Sequence, residues 1–165
     1  MSKLFFLLSL LFSFVIDSCT QKQSADKKER QGLIFNAEIG NWHKEDGFNY
    51  LPIKTTLINN SHDTIKYVNM YCDSDIIYVI ETNRLKIHFI DCNKNSEKIH
   101  ILFPHQNEQS ALDARTEEDT SKLIGEKFRV GFNYIKPRSN NDFGSILDSL
   151  NNKKHLLWSD TITIK

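Results

Sequence analysis

The chain has 165 residues, with 21 basic and 21 acidic side chains and a formal charge of zero at neutral pH. That length supports one domain with a core of its own. The even balance speaks against a nucleic-acid partner, and against a polybasic membrane patch, because both need a net basic face.

The first element is a leader, MSKLFFLLSLLFSFVIDSC. Lys3 supplies a positive start, and Leu4 to Ile16 is a thirteen-residue apolar run broken by Ser9 and Ser13. That run is short of the ~20 residues a permanent spanning helix requires, and it matches the apolar stretch of an export signal. A cut before Cys19 puts Ile16 at −3 and Ser18 at −1. This resembles the lipobox of bacterial lipoproteins, in which the cysteine thiol takes a diacylglyceryl group, although Asp17 at −2 departs from the usual small uncharged residue. Residues 1–18 are therefore expected to be a signal peptide and Cys19 the anchor point, durable because each buried methylene of the lipid contributes ~0.8 kcal/mol. A plain secretory leader and an uncleaved anchor are the alternatives. Residues 19–32 include TQKQSADKKERQ, with no apolar side chain larger than Ala25, and read as a flexible tether.

The folded part, residues 33–165, opens with LIFNAEI, where Leu33, Phe35, Ala37 and Ile39 alternate as in a half-buried strand. PIKTTLIN follows with Ile53, Thr55 and Leu57 on one side. The turn residues NNSHD then separate it from TIKYVNMYC, predicting a hairpin. IIYVIE and RLKIHFID come next, parted by Thr82 and Asn83, and then IHILFP. A turn at Asn93 to Asn95 would pair Phe89 with Ile99, Ile87 with Ile101 and Leu85 with Phe103, all on one buried face. That register sets His88 against His100. PHQNEQSALDARTEEDTSK reads as an irregular edge strand plus a solvated loop, acidic from Asp113 to Asp119. KFRVGFNYI places Phe128, Val130, Phe132 and Tyr134 on one face. Asp142 to Asn152 is expected to be a short helix with Phe143, Ile146, Leu147 and Leu150 as its stripe. LLWSDTITIK closes the chain, with Ile162 and Ile164 inward.

About seven to eight strands and one short helix near the C-terminus predict an all-β, immunoglobulin-like β-sandwich. The antibody-type pair of cysteines around a core tryptophan is not met, since Cys72 and Cys92 lie close together and Trp42 precedes both. With Cys19 acylated, these two cysteines are an even number in an exported chain, which predicts a disulfide worth about 3 kcal/mol, or else two buried thiols.

TIKYVNMYC, then DCNKN, then IHILFP resembles a group of small uncharacterised lipoproteins of Bacteroidetes-type bacteria, which pair a strand ending in Met-x-Cys with a Cys-x-Lys-Asn turn and a following Pro. The match spans Thr64 to Pro104. It implies an envelope-facing sandwich and carries no activity. Asp63-Thr64-Ile65, Asp148-Ser149-Leu150 and Asp160-Thr161-Ile162 are similar to the short O-glycosylation acceptor of exported proteins in that group, with Thr64 the best placed.

No GxSxG, HExxH, P-loop or GxGxxG motif occurs, so no catalytic residue and no cofactor are expected. His88 and His100 are candidate metal ligands, with His105 as a third, though zinc sites want three or four. Trp42, Phe48 and Tyr50 form an aromatic group suited to stacking on sugar rings or gripping a protein. The expected role is a non-catalytic binding or structural module held to a membrane by its N-terminal lipid, with a protein or glycan partner in the envelope and no nucleic acid. It would face the periplasm, since no acidic cluster follows Cys19. A metal-binding protein or enzyme centred on His88 and His100, and an inhibitor using the acidic loop 113–119, are the alternatives.

Overall fold

The computed structural model describes residues 32–70, 77–88, 97–137 and 155–165. Cys19 and the leader, Cys72, Cys92, the turn at Asn93 to Asn95 and the stretch 142–152 lie outside them. The chain divides into two units, Met1–Leu33 and Ile34–Lys165, and the fold is that of the second. Its described residues are mostly strand. A short 3-10 turn, Thr120–Lys122, is capped by the Asp119 carboxylate accepting from the Ser121 N–H. The protein is all-β. No helix among the described residues is long and apolar enough to cross a membrane.

Twelve strands are seen among the described residues: β1 Leu33–Ile39, β2 His43–Glu45, β3 Phe48–Asn59, β4 Ile65–Met70, β5 Tyr78–Ile80, β6 Lys86–Ile87, β7 Glu97–Leu102, β8 Asn107–Thr116, β9 Lys127–Phe128, β10 Val130–Asn133, β11 Leu156–Trp158 and β12 Ile162–Thr163. The largest sheet has the order β1-β3-β8-β6, with β2 also on β3. A strand has two edges and β8 occupies one of β3's, so β1 and β2 share the other. Period-two alternation explains β3: Leu51, Ile53, Thr55 and Leu57 are buried while Lys54 is exposed. Each fully buried aliphatic side chain contributes about 1.5–3 kcal/mol.

The segment expected as an edge strand and loop is instead a ten-residue central strand. β8 pairs antiparallel with β3 from Asn49↔Thr116 to Ile58↔Asn107. Its core-facing residues are Glu108, Ser110, Leu112, Ala114 and Thr116, of which only Leu112 is a large aliphatic, so hydropathy alone hides the alternation.

A second set of ladders runs β11-β10-β5, with β4 paired to β7. Tyr134 N–H donates to the His155 carbonyl on the β11 side, and Ile135 C=O accepts from Val68 N–H of β4. At the foot of β10 the paired segment β9–β12 continues past a bulge, where the buried Ser159 hydroxyl accepts from the Val130 N–H. Phe132 is the meeting point of these ladders. Its ring lies 5.6 Å from each of the rings of Phe35, Tyr67 and Tyr78, which belong to β1, β4 and β5.

The expected hairpin across NNSHD does not form. β3 pairs with β8 and β4 with β7, so this turn carries the chain from one ladder to another. Asn59 holds it. Its Nδ2 donates to the carbonyls of Asp63 (2.8 Å) and Leu102 (3.0 Å), and its Oδ1 accepts from Ser61 N–H and Oγ–H. Its own N–H donates to the Gln106 carbonyl, and its C=O accepts from the His105 N–H, which ties in the neighbouring β7–β8 corner.

The register proposed around Asn93 to Asn95 is also overturned. Ile87 pairs with Ala114 of β8, and Ile101 with Lys66 of β4. Ile99, Ile101 and Phe103 are 49%, 48% and 53% exposed, so they do not form a buried face. Likewise β5 and β6, on either side of Thr82 and Asn83, pair with β10 and β8 and not with each other. The alternation read for LIFNAEI and the inward Ile164 agree with the observed burial, whereas in KFRVGFNYI the residues Phe128, Val130, Phe132 and Tyr134 are buried but so are Gly131, Asn133 and Ile135, so β10 is covered on both faces.

Candidate functional site

The stretch that follows Trp42 closes as a tight hairpin between His43 and Tyr50. Asp46 and Gly47 both take positive φ (47° and 85°), the geometry of the two-residue turn that matches strand twist. It pairs β2 with β3, setting His43 opposite Tyr50 and Glu45 opposite Phe48. Tyr50 also faces Arg115 of β8, and Arg115 faces Lys86 of β6. One rung across four strands therefore reads His43, Tyr50, Arg115, Lys86. Their neighbours Leu51, Ala114 and Ile87 point the other way, into the core or towards it, so the rung belongs to the outer face. At the usual strand spacing it spans about 14 Å.

The rung is packed. Tyr50 is buried although it is on the outer face, because His43 stacks on it (5.4 Å, 18°) and Phe48 and His88 meet it edge-on at 6.5 and 5.1 Å. The Arg115 guanidinium lies 4.9 Å from the centre of the Phe48 ring, a cation–π contact. His88 continues β6 by donating its N–H to the Asp113 carbonyl, and its buried Nδ1 has no hydrogen-bond partner among the described residues. The buried Nε1 of Trp42 has none either, and Trp42 makes no ring contact with Phe48 or Tyr50.

Beside the rung is a shallow cleft of about 230 Å³, lined by Phe48, Asn83, Arg84, Lys86, Arg115 and the turn 116–118. Arg84 is committed within the protein, its Nη2 to Glu118 and its Nη1 to Glu126, both at 2.6 Å. The hydrogen bond from Arg84 holds the Glu118 carboxyl below the usual carboxylate range, and the same bond raises the Arg84 guanidinium. Lys86 and Arg115 make no ion pair among the described residues.

A second polar group joins the ladders. Glu108 of β8 accepts from the Tyr67 hydroxyl and from His100 Nδ1, both at 2.6 Å. Burial first, then the hydrogen bond to Glu108 and its charge, push the Tyr67 hydroxyl far above the ordinary tyrosine range. A folded-state pKa above the unfolded one, ~10, makes this stabilisation complete below pH ~10 and lost as pH rises beyond it. Tyr67→Phe is expected to cost about 1–2 kcal/mol at pH 8. In urea melts that gap should narrow above pH ~10; parallel pH curves would show that Tyr67 is not the cause.

His88 and His100 are not cross-strand neighbours. His88 stands opposite Asp113 on β8, His100 pairs with Tyr67, and His105 packs on His62 at 5.5 Å. Among the described residues no three metal-ligating side chains converge. The acidic run is likewise no free loop: Asp113 is in β8, Glu118 holds Arg84, and Asp119 caps the 3-10 turn. Thr64 is exposed at the start of β4. Residue type alone points to Phe48 and Tyr50 but misses His43, Lys86 and Arg115. The Asp-Gly dipeptide at 46–47 is a readable signal for His43; the other two need the β3–β8 pairing.

No protein family, no curated protein and no solved structure matches the chain.

Proposed function

We propose that the protein is a lipid-tethered binding module of a bacterial cell envelope, facing the periplasm and catalysing no reaction. In this reading Cys19 carries the anchor, residues 19–32 are the tether, and residues 33–165 form an immunoglobulin-like β-sandwich akin to the small lipoproteins it resembles. The Phe35–Phe132 and Tyr67–Glu108 contacts between ladders support two sheets packed face to face. The observation that carries the reading is the outer rung of His43, Tyr50, Arg115 and Lys86, an aromatic and cationic surface on the solvent side of a sheet. Tethering raises local concentration, so modest affinity suffices there. Thr64 is the residue on which a sugar would be attached.

Full-length protein purified from native membranes should weigh less by the leader and more by the lipid. It should also be retained on detergent-extracted envelope fragments, where no membrane remains for the lipid to enter, with retention lost in the Lys86→Glu/Arg115→Glu variant at an unchanged thermal midpoint. An unlipidated full-length mass would remove the tether. Equal retention of both proteins would remove the rung as the surface, and no retention of either would remove the binding role.

A further inference from the structure

The rung carries an unfavourable feature that the fold does not use. Lys86 and Arg115 sit directly opposite each other on adjacent strands, where like charges repel. Acidic side chains are close by, yet Glu118 and Glu126 are committed to Arg84, and among the described residues none forms an ion pair with Lys86 or Arg115. Arg115 is held by the Phe48 ring, which steadies its planar fork and leaves its N–H groups available. Both cations line the same cleft, with Phe48 as an apolar wall.

We infer that this cleft is an anion site that takes the acidic group of a saccharide, a carboxylate or phosphate, between Lys86 and Arg115, with the sugar ring against Phe48. This rests on the binding role assigned to the outer face and names its ligand class. The volume of about 230 Å³ suits one substituted ring and not a folded partner. A bound anion relieves the Lys86–Arg115 repulsion, and Arg115 can meet it with two parallel N–H···O bonds. Glu117 also lines the cleft, so it opposes the anion and provides a built-in control.

The test is calorimetric titration of the full-length protein with trigalacturonate, with a phosphorylated trisaccharide, and with neutral galactotriose. Acidic sugars should bind at least about ten-fold more tightly than the neutral one, and Lys86→Gln or Arg115→Gln should each weaken them about ten-fold or more. Glu117→Gln should tighten them about two- to three-fold. Lys86→Gln should leave the thermal midpoint unchanged or raised, since it removes a repulsion, and this separates lost binding from lost folding. The uronate and phosphate arms distinguish the two forms of the acid. Equal binding of the neutral sugar, or weaker binding in Glu117→Gln, overturns the anion site and leaves the outer face as a binding surface. No saccharide binding, with the protein still held on envelope fragments through Lys86 and Arg115, overturns it in the same way. No binding and no retention overturns both.

Discussion

Phe132→Ala is expected to destabilise the domain by about 4 kcal/mol, the range for removing a buried phenyl ring and leaving a cavity. The ring is 2% exposed, and the rings of Phe35, Tyr67 and Tyr78 surround it at about equal distances. Those partners come from three different ladders, so collapse into the hole would require separate strands to move together. That places the cost towards the upper part of the range, with an aromatic-pair contribution beyond area burial. Against a typical total of about 5–15 kcal/mol, it would leave the fold marginal. Urea melts should show a lower midpoint and an unchanged slope. A loss below about 1.5 kcal/mol would mean the ladders do not depend on this contact.

Asn59→Ala is expected to cost about 3 kcal/mol, through unmade hydrogen bonds and not through lost volume. The side chain is fully buried, and its amide is bonded at both ends. Removing it takes one hydrogen bond from the Leu102 carbonyl and frees the Ser61–Asp63 turn. Asn59→Asp separates shape from polarity. The isosteric carboxylate would point an oxygen at one or both of the Asp63 and Leu102 carbonyls, so it should be at least as damaging at pH 7. Its folded-state pKa would be raised, so part of the loss should return as pH falls and the group is protonated. If Asn59→Asp were tolerated at neutral pH, the corner would be held by backbone bonds alone.

Strands are legible wherever apolar residues alternate with polar ones, as in β1, β3 and the β9–β10 stretch. β8 is not, because its inward positions are Glu108, Ser110, Ala114 and Thr116 around one leucine. Without β8, the partners of β3 and β6 have to be sought nearby in the chain, and NNSHD reads as a hairpin turn. Turn chemistry marks where a strand ends without saying whether the chain returns to the same sheet or crosses to another. The candidate site suffers the same way. Phe48 and Tyr50 stand out by residue type, whereas Lys86 and Arg115 are ordinary surface cations until pairing sets them on one rung with Tyr50. His88 and His100 are joined only by a register that the β4–β7 and β6–β8 pairings rule out.

The central ladder also governs how fast this protein can reach its native state. β3 meets β8 from Ile58 opposite Asn107 to Asn49 opposite Thr116, so the pairing joins residues that lie 49 to 67 positions apart along the chain. Closing so long a loop costs entropy before any contact rewards it, and folds dominated by distant pairings take milliseconds to seconds. β3 has no hairpin with β4 to lean on while it waits. Until β8 has been delivered, the edge of β3 that it covers stays open, with only the local pairings to β1 and β2 in reach. Such a state suits threading through a narrow channel before assembly on the far side, as the proposed export would require.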